Sequence, residues 1–363
     1  MSKLSRRPTL RASHRLAPRV AGPIAGLIAA LAVITTAGCV SGASGAAGAA
    51  GAAGAAGASG AAGAAAEKAS SAGPEKPNLV IAAVPTASSA GVYVAQQDGL
   101  FRRAGLNVKI VNISAGANVT SELRSGRIDV VNGAYAGFIQ AQVHQAAQFH
   151  ILADGYAGAP NVDEVVVLPA SGISSAKQLE GKTIAVNALG SVAQLLVSSA
   201  LAAQGVPASK VHFVAVGFPA MAAALKAHHI DAAYLPEPYL SQAEERTGGE
   251  DVLDVNQGAT QDFPIDGFAA TVQWCRKYPK TAAAVARALD QGQALADTDR
   301  PLVQKALAHY TTITKQIAAI MSLGNFPATV DTVHLQRVPD LMQSFGLLKQ
   351  HFSISVMTRP TGS

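Results

Sequence analysis

Glu237 stands between two prolines, in Leu235-Pro236-Glu237-Pro238-Tyr239, at the end of the apolar run Ala232–Leu235. Each proline fixes φ, so the carboxylate is carried on a stiff turn. It is either a solvated turn residue or an acceptor for the amino group of a bound molecule. Ser191 and Gln194 have the spacing of a capping box, and a capped helix start also offers N–H groups to an anion. Ser88 and Ser89 face the same choice ahead of the apolar run Val92–Ala95. Asn132 closes its own turn or faces a ligand, and Tyr135 is core or contact. Phe218 and Tyr234 are pocket walls or core aromatics. Loop geometry gathers these residues into five segments at strand ends: Thr86–Gly91, Asn132–Tyr135, Asn187–Val192, Gly217–Pro219 and Tyr234–Tyr239. None of the five contains Lys or Arg. An anionic head group there would rest on backbone N–H groups and hydroxyls, and Glu237 would have to turn away from it.

Catalytic patterns are missing. Gly181-Lys182-Thr183 ends like a phosphate loop, but Ala176 stands where the first glycine is required, and the segment enters a strand. There is no G-x-S-x-G elbow. The nine histidines form no H-E-x-x-H, and the adjacent His228 and His229 cannot share a helix face. The only cysteines are Cys39 and Cys275, so no disulfide framework or Cys/His metal site is expected, and Cys275 reads as a buried, inert thiol. These residues lead to the expectation of no enzyme chemistry, no metal and no cofactor.

The elements that position these residues alternate. Strands are expected at Leu79–Val84, Val108–Val111, Ile128–Val131, Thr183–Val186, Val211–Val216 and Asp231–Leu235. Helices are expected at Ala90–Asp98, from about Asn118 to Gly126, at Val192–Ala203 and at Pro219–Ala227, several of them stopped by glycine. This alternation implies parallel sheets with ligand loops at the strand C-termini. After Gln273 the strand signal ends. Pro279–Ala296, Pro301–Thr312, Thr314–Met321 and Leu335–Phe345 read as helices packed on a completed sheet.

The chain has 363 residues, 49% hydrophobic and 14% charged, which excludes a disordered protein and allows two domains. Its net charge of +5 comes from the N-terminus, because residues 1–38 hold six bases and no acid. The rest carries 22 Lys+Arg against 23 Asp+Glu, so a nucleic-acid partner is not expected. Residues 20–37 are apolar and lead through Thr36-Ala37-Gly38 into Cys39, the order of a secretory signal. A spanning helix is the weaker reading, since the run holds Gly22, Pro23 and Gly26. The small residues before Cys39 resemble a bacterial lipobox, which makes Cys39 the expected lipidation site and 1–38 a lipoprotein-type signal peptide. Ser5-Arg6-Arg7-Pro8-Thr9-Leu10-Arg11 resembles a twin-arginine signal or is a generic basic region. Residues 39–77 are a Gly/Ala-rich tether. Its composition predicts a flexible chain spanning roughly 30–40 Å.

Three blocks carry a family resemblance: Val94-Ala95-Gln96-Gln97-Asp98-Gly99-Leu100-Phe101 with Ala104-Gly105-Leu106-Asn107-Val108; Leu179 to Asn187; and Ala223 to Tyr239. Leu335 to Met342 and Phe345-Gly346-Leu347-Leu348 add a C-terminal helix. In this order they resemble the nitrate/sulfonate/taurine group of ABC-transporter substrate-binding proteins, which includes thiamine-precursor binders, over about residues 78–357. One departure is Gly91, where the group usually has proline before its apolar-Tyr-Val-Ala run. A less rigid first loop is expected from it.

The resemblance implies an α/β, two-lobed periplasmic-binding-protein-like (type 2) fold with two crossover strands and a helical C-terminal part. Lobe one is then 78–165 plus 268–363 and lobe two 166–267, with crossings near Val165–Ala170 and Phe263–Thr271. It also implies ligand contact for Asn132 and Tyr135. The candidate contacts are Thr86, Ser88, Ser89, Asn132, Tyr135, Asn187, Gly190, Ser191, Phe218, Tyr234 and Glu237. The expected protein is exported, lipid-anchored on the extracytoplasmic face of the cell membrane, and monomeric. It delivers a sulfonate-, taurine- or nitrate-type or aminopyrimidine-like ligand to an ABC permease. Two other readings remain. A thiamine-pyrimidine-synthase-like enzyme on the same fold would need a cysteine-rich iron motif. A tethered sensory lipoprotein would have no transporter.

Overall fold

The structure, a computed structural model, describes residues 73–115 and 119–358. The expected leader, Cys39 and most of the tether lie outside the described residues.

Ten strands form two five-stranded sheets. The first contains β1 (Asn78–Ala83), β2 (Asn107–Asn112), β3 (Val130–Ala134), β4 (Phe149–Ala157) and β10 (Pro264–Thr271), in the order β2-β1-β3-β10-β4. The second contains β5 (Asp163–Val167), β6 (Thr183–Val186), β7 (His212–Ala215), β8 (Ala232–Pro236) and β9 (Glu250–Asp254), in the order β7-β6-β8-β5-β9. The short apolar runs of β1 and β6 pair in parallel on both sides, as strands covered on two faces should.

The sheets are mixed, not purely parallel as expected. β10 runs antiparallel between β3 and β4, and β5 runs antiparallel between β8 and β9. Each is the first strand formed after the chain passes from one sheet to the other, and it enters from the opposite end. The passages also lie upstream of the expected divisions. All of β5 belongs to the second sheet and all of β10 to the first, so the chain crosses between Ala157 and Asp163 and returns between Asp254 and Pro264. The two passages touch where Gly158 N–H donates to Phe263 O at 3.0 Å.

The helices Pro279–Thr298, Arg300–Tyr310 and Thr332–Ser344 follow the last strand. The first of these crosses helix Ala90–Gln97 so closely that a Cβ on Gly91 would meet Gln293 Oε1 at 1.5 Å. Gly91 therefore sits inside a buried helix at a tight crossing, not in a loosened loop. Arg337, on the last of these helices, donates to the carbonyls of Ala259, Gln261 and Asp262 at 3.1, 2.8 and 2.6 Å, clasping the return passage.

The tether ends earlier than Pro77. Glu75 accepts from Lys280 N at 3.0 Å, Thr281 N at 2.8 Å and Thr281 Oγ1 at 2.9 Å, at the start of helix Pro279–Thr298. Lys76 pairs with Asp129. Burial pushes the Glu75 carboxyl up, but these donors outweigh it and hold it at about 2. Cys275 is fully buried, and burial pushes its thiol up to about 12, as suits an inert side chain.

Candidate functional site

The C-terminal ends of the parallel strands in both sheets open on one cleft of about 500 Å³. Val84 and Thr86–Ser88 follow β1, Ile113–Ala115 follow β2, and Asn187–Ala193 follow β6; Phe218 comes after β7 and Glu237 after β8. This is the sheet edge where open α/β folds bind ligands. The lobes also touch beside it. Ala87 N–H donates to Glu237 O at 2.9 Å, and Gln140 Nε2 donates to Gly190 O at 3.0 Å.

Nine of the eleven expected residues line the cleft: Thr86, Ser88, Asn132, Asn187, Gly190, Ser191, Phe218, Tyr234 and Glu237. Ser89 and Tyr135 do not. Ser89 is fully buried, donates to Val84 O at 2.6 Å and lies 2.7 Å from Asn132 Oδ1. It orients the Asn132 amide, whose Nδ2 donates to Asp266 Oδ1 at 3.2 Å. Tyr135 packs its ring against Gly267, where a Cβ would meet the phenol oxygen at 2.2 Å, and its hydroxyl donates to the buried Asp154. Both residues support the wall from behind.

Glu237 is both turn residue and cleft wall. It is 4% exposed, and it accepts from Ser241 Oγ at 2.7 Å and Ser241 N at 3.2 Å, ahead of helix Tyr239–Thr247. Ser191 caps helix Val192–Ala203 through Gln194 N at 3.5 Å, and its hydroxyl donates to Asn187 Oδ1 at 3.1 Å. Gln194 Oε1 accepts from Gly190 N at 2.7 Å, so the box closes on Gly190 instead of the Ser191 amide.

Two wall carboxylates lay outside the five expected segments. Asp163 accepts from Tyr234 Oη and Asn256 Nδ2, each at 3.0 Å. Asp266 lies on β10 and also takes a hydrogen bond from Ser88. Both sit at the N-terminal end of a reversed strand, which is the end that meets the C-terminal ends of its parallel neighbours. A scan of strand C-termini cannot find them; an acid inside an otherwise apolar strand is the signal that would have. Burial is the main cause that pushes Asp163 up to about 6 and Glu237 and Asp266 up to about 7.

No cluster of His, Cys, Asp or Glu among the described residues is arranged to hold a metal ion, and none of the described helices is long and apolar enough to cross a membrane. Asp129 and Asp231 lie at the opposite strand ends, where each binds backbone.

Residues 72–310 match the model of the NMT1-like family. No curated protein matches the chain in sequence. Among solved structures the chain is similar to the alkanesulfonate-binding protein SsuA of Xanthomonas axonopodis pv. citri bound to MOPS. That match has 19% identity and a TM-score of 0.65, and it covers 80% of this chain and 99% of that one. The periplasmic nitrate-binding protein NrtA from Synechocystis PCC 6803 aligns with 15% identity and a TM-score of 0.65, over 76% of this chain and 83% of its own. The periplasmic aliphatic sulphonate binding protein SsuA from Escherichia coli aligns with 19% identity and a TM-score of 0.63, over 79% and 93%. At these identities the shared property is the fold, the two-lobed one of periplasmic binding proteins with a helical C-terminal part.

Proposed function

The chain belongs to the NMT1-like family, and from that premise we propose that it is an extracytoplasmic solute-binding protein serving an ABC importer. The observation that supports this most is the cleft, whose walls come from the ligand-binding edges of both sheets. A solute touching both walls favours the arrangement that brings them together, which is the usual means by which such a protein presents a loaded state to a permease. The proposed ligand is a small solute of the classes the family resemblance offers, sulfonate-, taurine- or nitrate-type or aminopyrimidine-like. Glu237, Asn132, Asn187 and Ser191 are its proposed polar contacts. In this reading residues 1–38 are the export signal and Cys39 carries the lipid, and the Gly/Ala-rich stretch holds the monomeric body away from the membrane. The protein performs no chemistry on its ligand.

A thermal-shift screen of taurine, alkanesulfonates, nitrate, aminopyrimidines and amino acids tests the binding role, since a ligand that binds only the native state raises Tm. At least one class should raise Tm in a concentration-dependent way; a screen silent throughout would remove the reading. Replacing Cys39→Ser should move the protein from the membrane fraction to the soluble one. Retention of the mutant on membranes at the wild-type level would show that Cys39 is not the anchor.

A further inference from the structure

Resting on that reading of the cleft, we infer that its ligand is an amphipathic organic amine, with a protonated amino head among Asp163, Glu237 and Asp266 and an apolar chain along the lobe-one wall. The first observation is charge. The described lining residues include these three buried carboxylates and no Lys or Arg. The single lining side chain able to carry positive charge is His144, at the far end of helix Tyr135–Val143. Residues 116–118, beside the cleft lining in sequence, are Gly-Ala-Asn and add no charge.

The second observation is where the acceptors come from. Asp163 and Glu237 belong to the second sheet and its turn, and Asp266 to the first. A cation between them therefore meets both lobes. Each carboxylate oxygen holds two lone pairs, so the bonds from Tyr234 and Asn256 to Asp163, from Ser241 and the Ser322 backbone to Glu237, and from Asn132 and Ser88 to Asp266 leave acceptor capacity. An ammonium between them favours the ionised form of all three and is attracted by each, whereas an anion is repelled by each one that is ionised.

The third observation is shape. Ile113, Val119, Val131, Phe138, Ala141 and Phe149, all from lobe one, make an apolar stretch of the same wall. The volume of about 500 Å³ suits a molecule with a carbon skeleton, far larger than a bare oxyanion. Burying that skeleton is where most of the affinity would arise.

Calorimetric titration of the full chain with butan-1-amine, hexan-1-amine, hexane-1-sulfonate and taurine tests this. Hexan-1-amine should bind more tightly than butan-1-amine by about tenfold, since each buried methylene is worth roughly fourfold. It should also bind at least about tenfold more tightly than hexane-1-sulfonate, one charged hydrogen bond's difference. Glu237→Gln and Asp266→Asn should each weaken hexan-1-amine by about tenfold or more. A Cβ on Gly137 meets no atom within 4 Å, so Gly137→Leu adds bulk at the apolar wall without disturbing the core. It should weaken the six-carbon amine more than the four-carbon one. If Asp266→Asn fails to fold, Glu237→Gln and the chain-length series decide. Sulfonate binding as tight as or tighter than the amine overturns the amine assignment and leaves the solute-binding reading standing. Silence from both amines overturns it as well; silence from the whole screen above takes the broader reading with it.

Discussion

The two lobes are built on one plan and finished differently. In each, a central strand is flanked by two parallel neighbours, and a reversed newcomer lies fourth, next to the edge strand. Each also pins its central strand the same way. Asp129 exchanges hydrogen bonds with the backbone of Val80 in β1, and Asp231 with that of Thr183 in β6. The difference lies in what was added. Lobe one carries the C-terminal helices and the docked Glu75-Lys76 segment, and its Asp129 additionally meets Lys76 and Trp274 Nε1, the latter at 2.9 Å. Lobe two, between the passages, has none of these, and Asp231 is left with its backbone partner. A shared topology thus brings the same sheet edge to the cleft twice, while the additions give lobe one tertiary contacts that lobe two lacks.

The largest expected effect tests that contrast directly. Asp129→Ala leaves a half-buried indole N–H and a backbone N–H without their acceptor and strands Lys76, so it should cost about 3 kcal/mol. Asp231→Ala should cost about 1 kcal/mol. Urea unfolding of both variants measures this, and equal losses would break the claim that the lobes are held unequally.

The next effect concerns the edge the lobes share. In the folded chain Asp266 and Glu237 are raised to about 7 by burial. Between the ordinary carboxylate range and that value the folded state binds more protons than the unfolded one. Their contribution is therefore fully present at low pH and is lost as pH rises through about 7. Melting temperatures of the ligand-free protein should fall over this window. The double variant Asp266→Asn/Glu237→Gln should show a flatter profile, and an identical slope would mean that these carboxyls are not held protonated by the fold.

The smallest effect sharpens the boundary of lobe one. A chain beginning at Gly73 should melt a few degrees above one beginning at Pro77, because only the longer one keeps the Glu75 cap on helix Pro279–Thr298 and the Lys76–Asp129 pair. Matching melting curves would return Glu75 and Lys76 to the tether.

Much of this molecule was legible as local pattern. Thr183–Val186 and Val192–Ala203 form as strand and helix over the expected spans, and Gly99 and Gly126 stop their helices at φ of 75° and 73°. Those signals are short-range: apolar periodicity, caps and left-handed glycines act within a few residues. Elements without a clean period were missed. β4 is interrupted by Asp154 and Gly155, and helix Tyr239–Thr247 is mostly polar. Strand-end loops also nominated nine residues that line the cleft, because loops at the ends of parallel strands converge whatever their detailed packing.

Other features depended on contacts made far apart in the chain. Whether Ser89 and Tyr135 face the cleft or brace it was settled by Asn132 and Gly267. Gly91 owes its residue type to Gln293, two hundred positions away in sequence. Asp163 and Asp266 reached the site because two strands run backwards, and strand direction follows from the path between sheets. The sequence by itself determined what its periodic segments would be and which strand ends would gather. Only the tertiary structure decided which side chains meet there, because side-chain direction and strand polarity are set by partners that no local window contains.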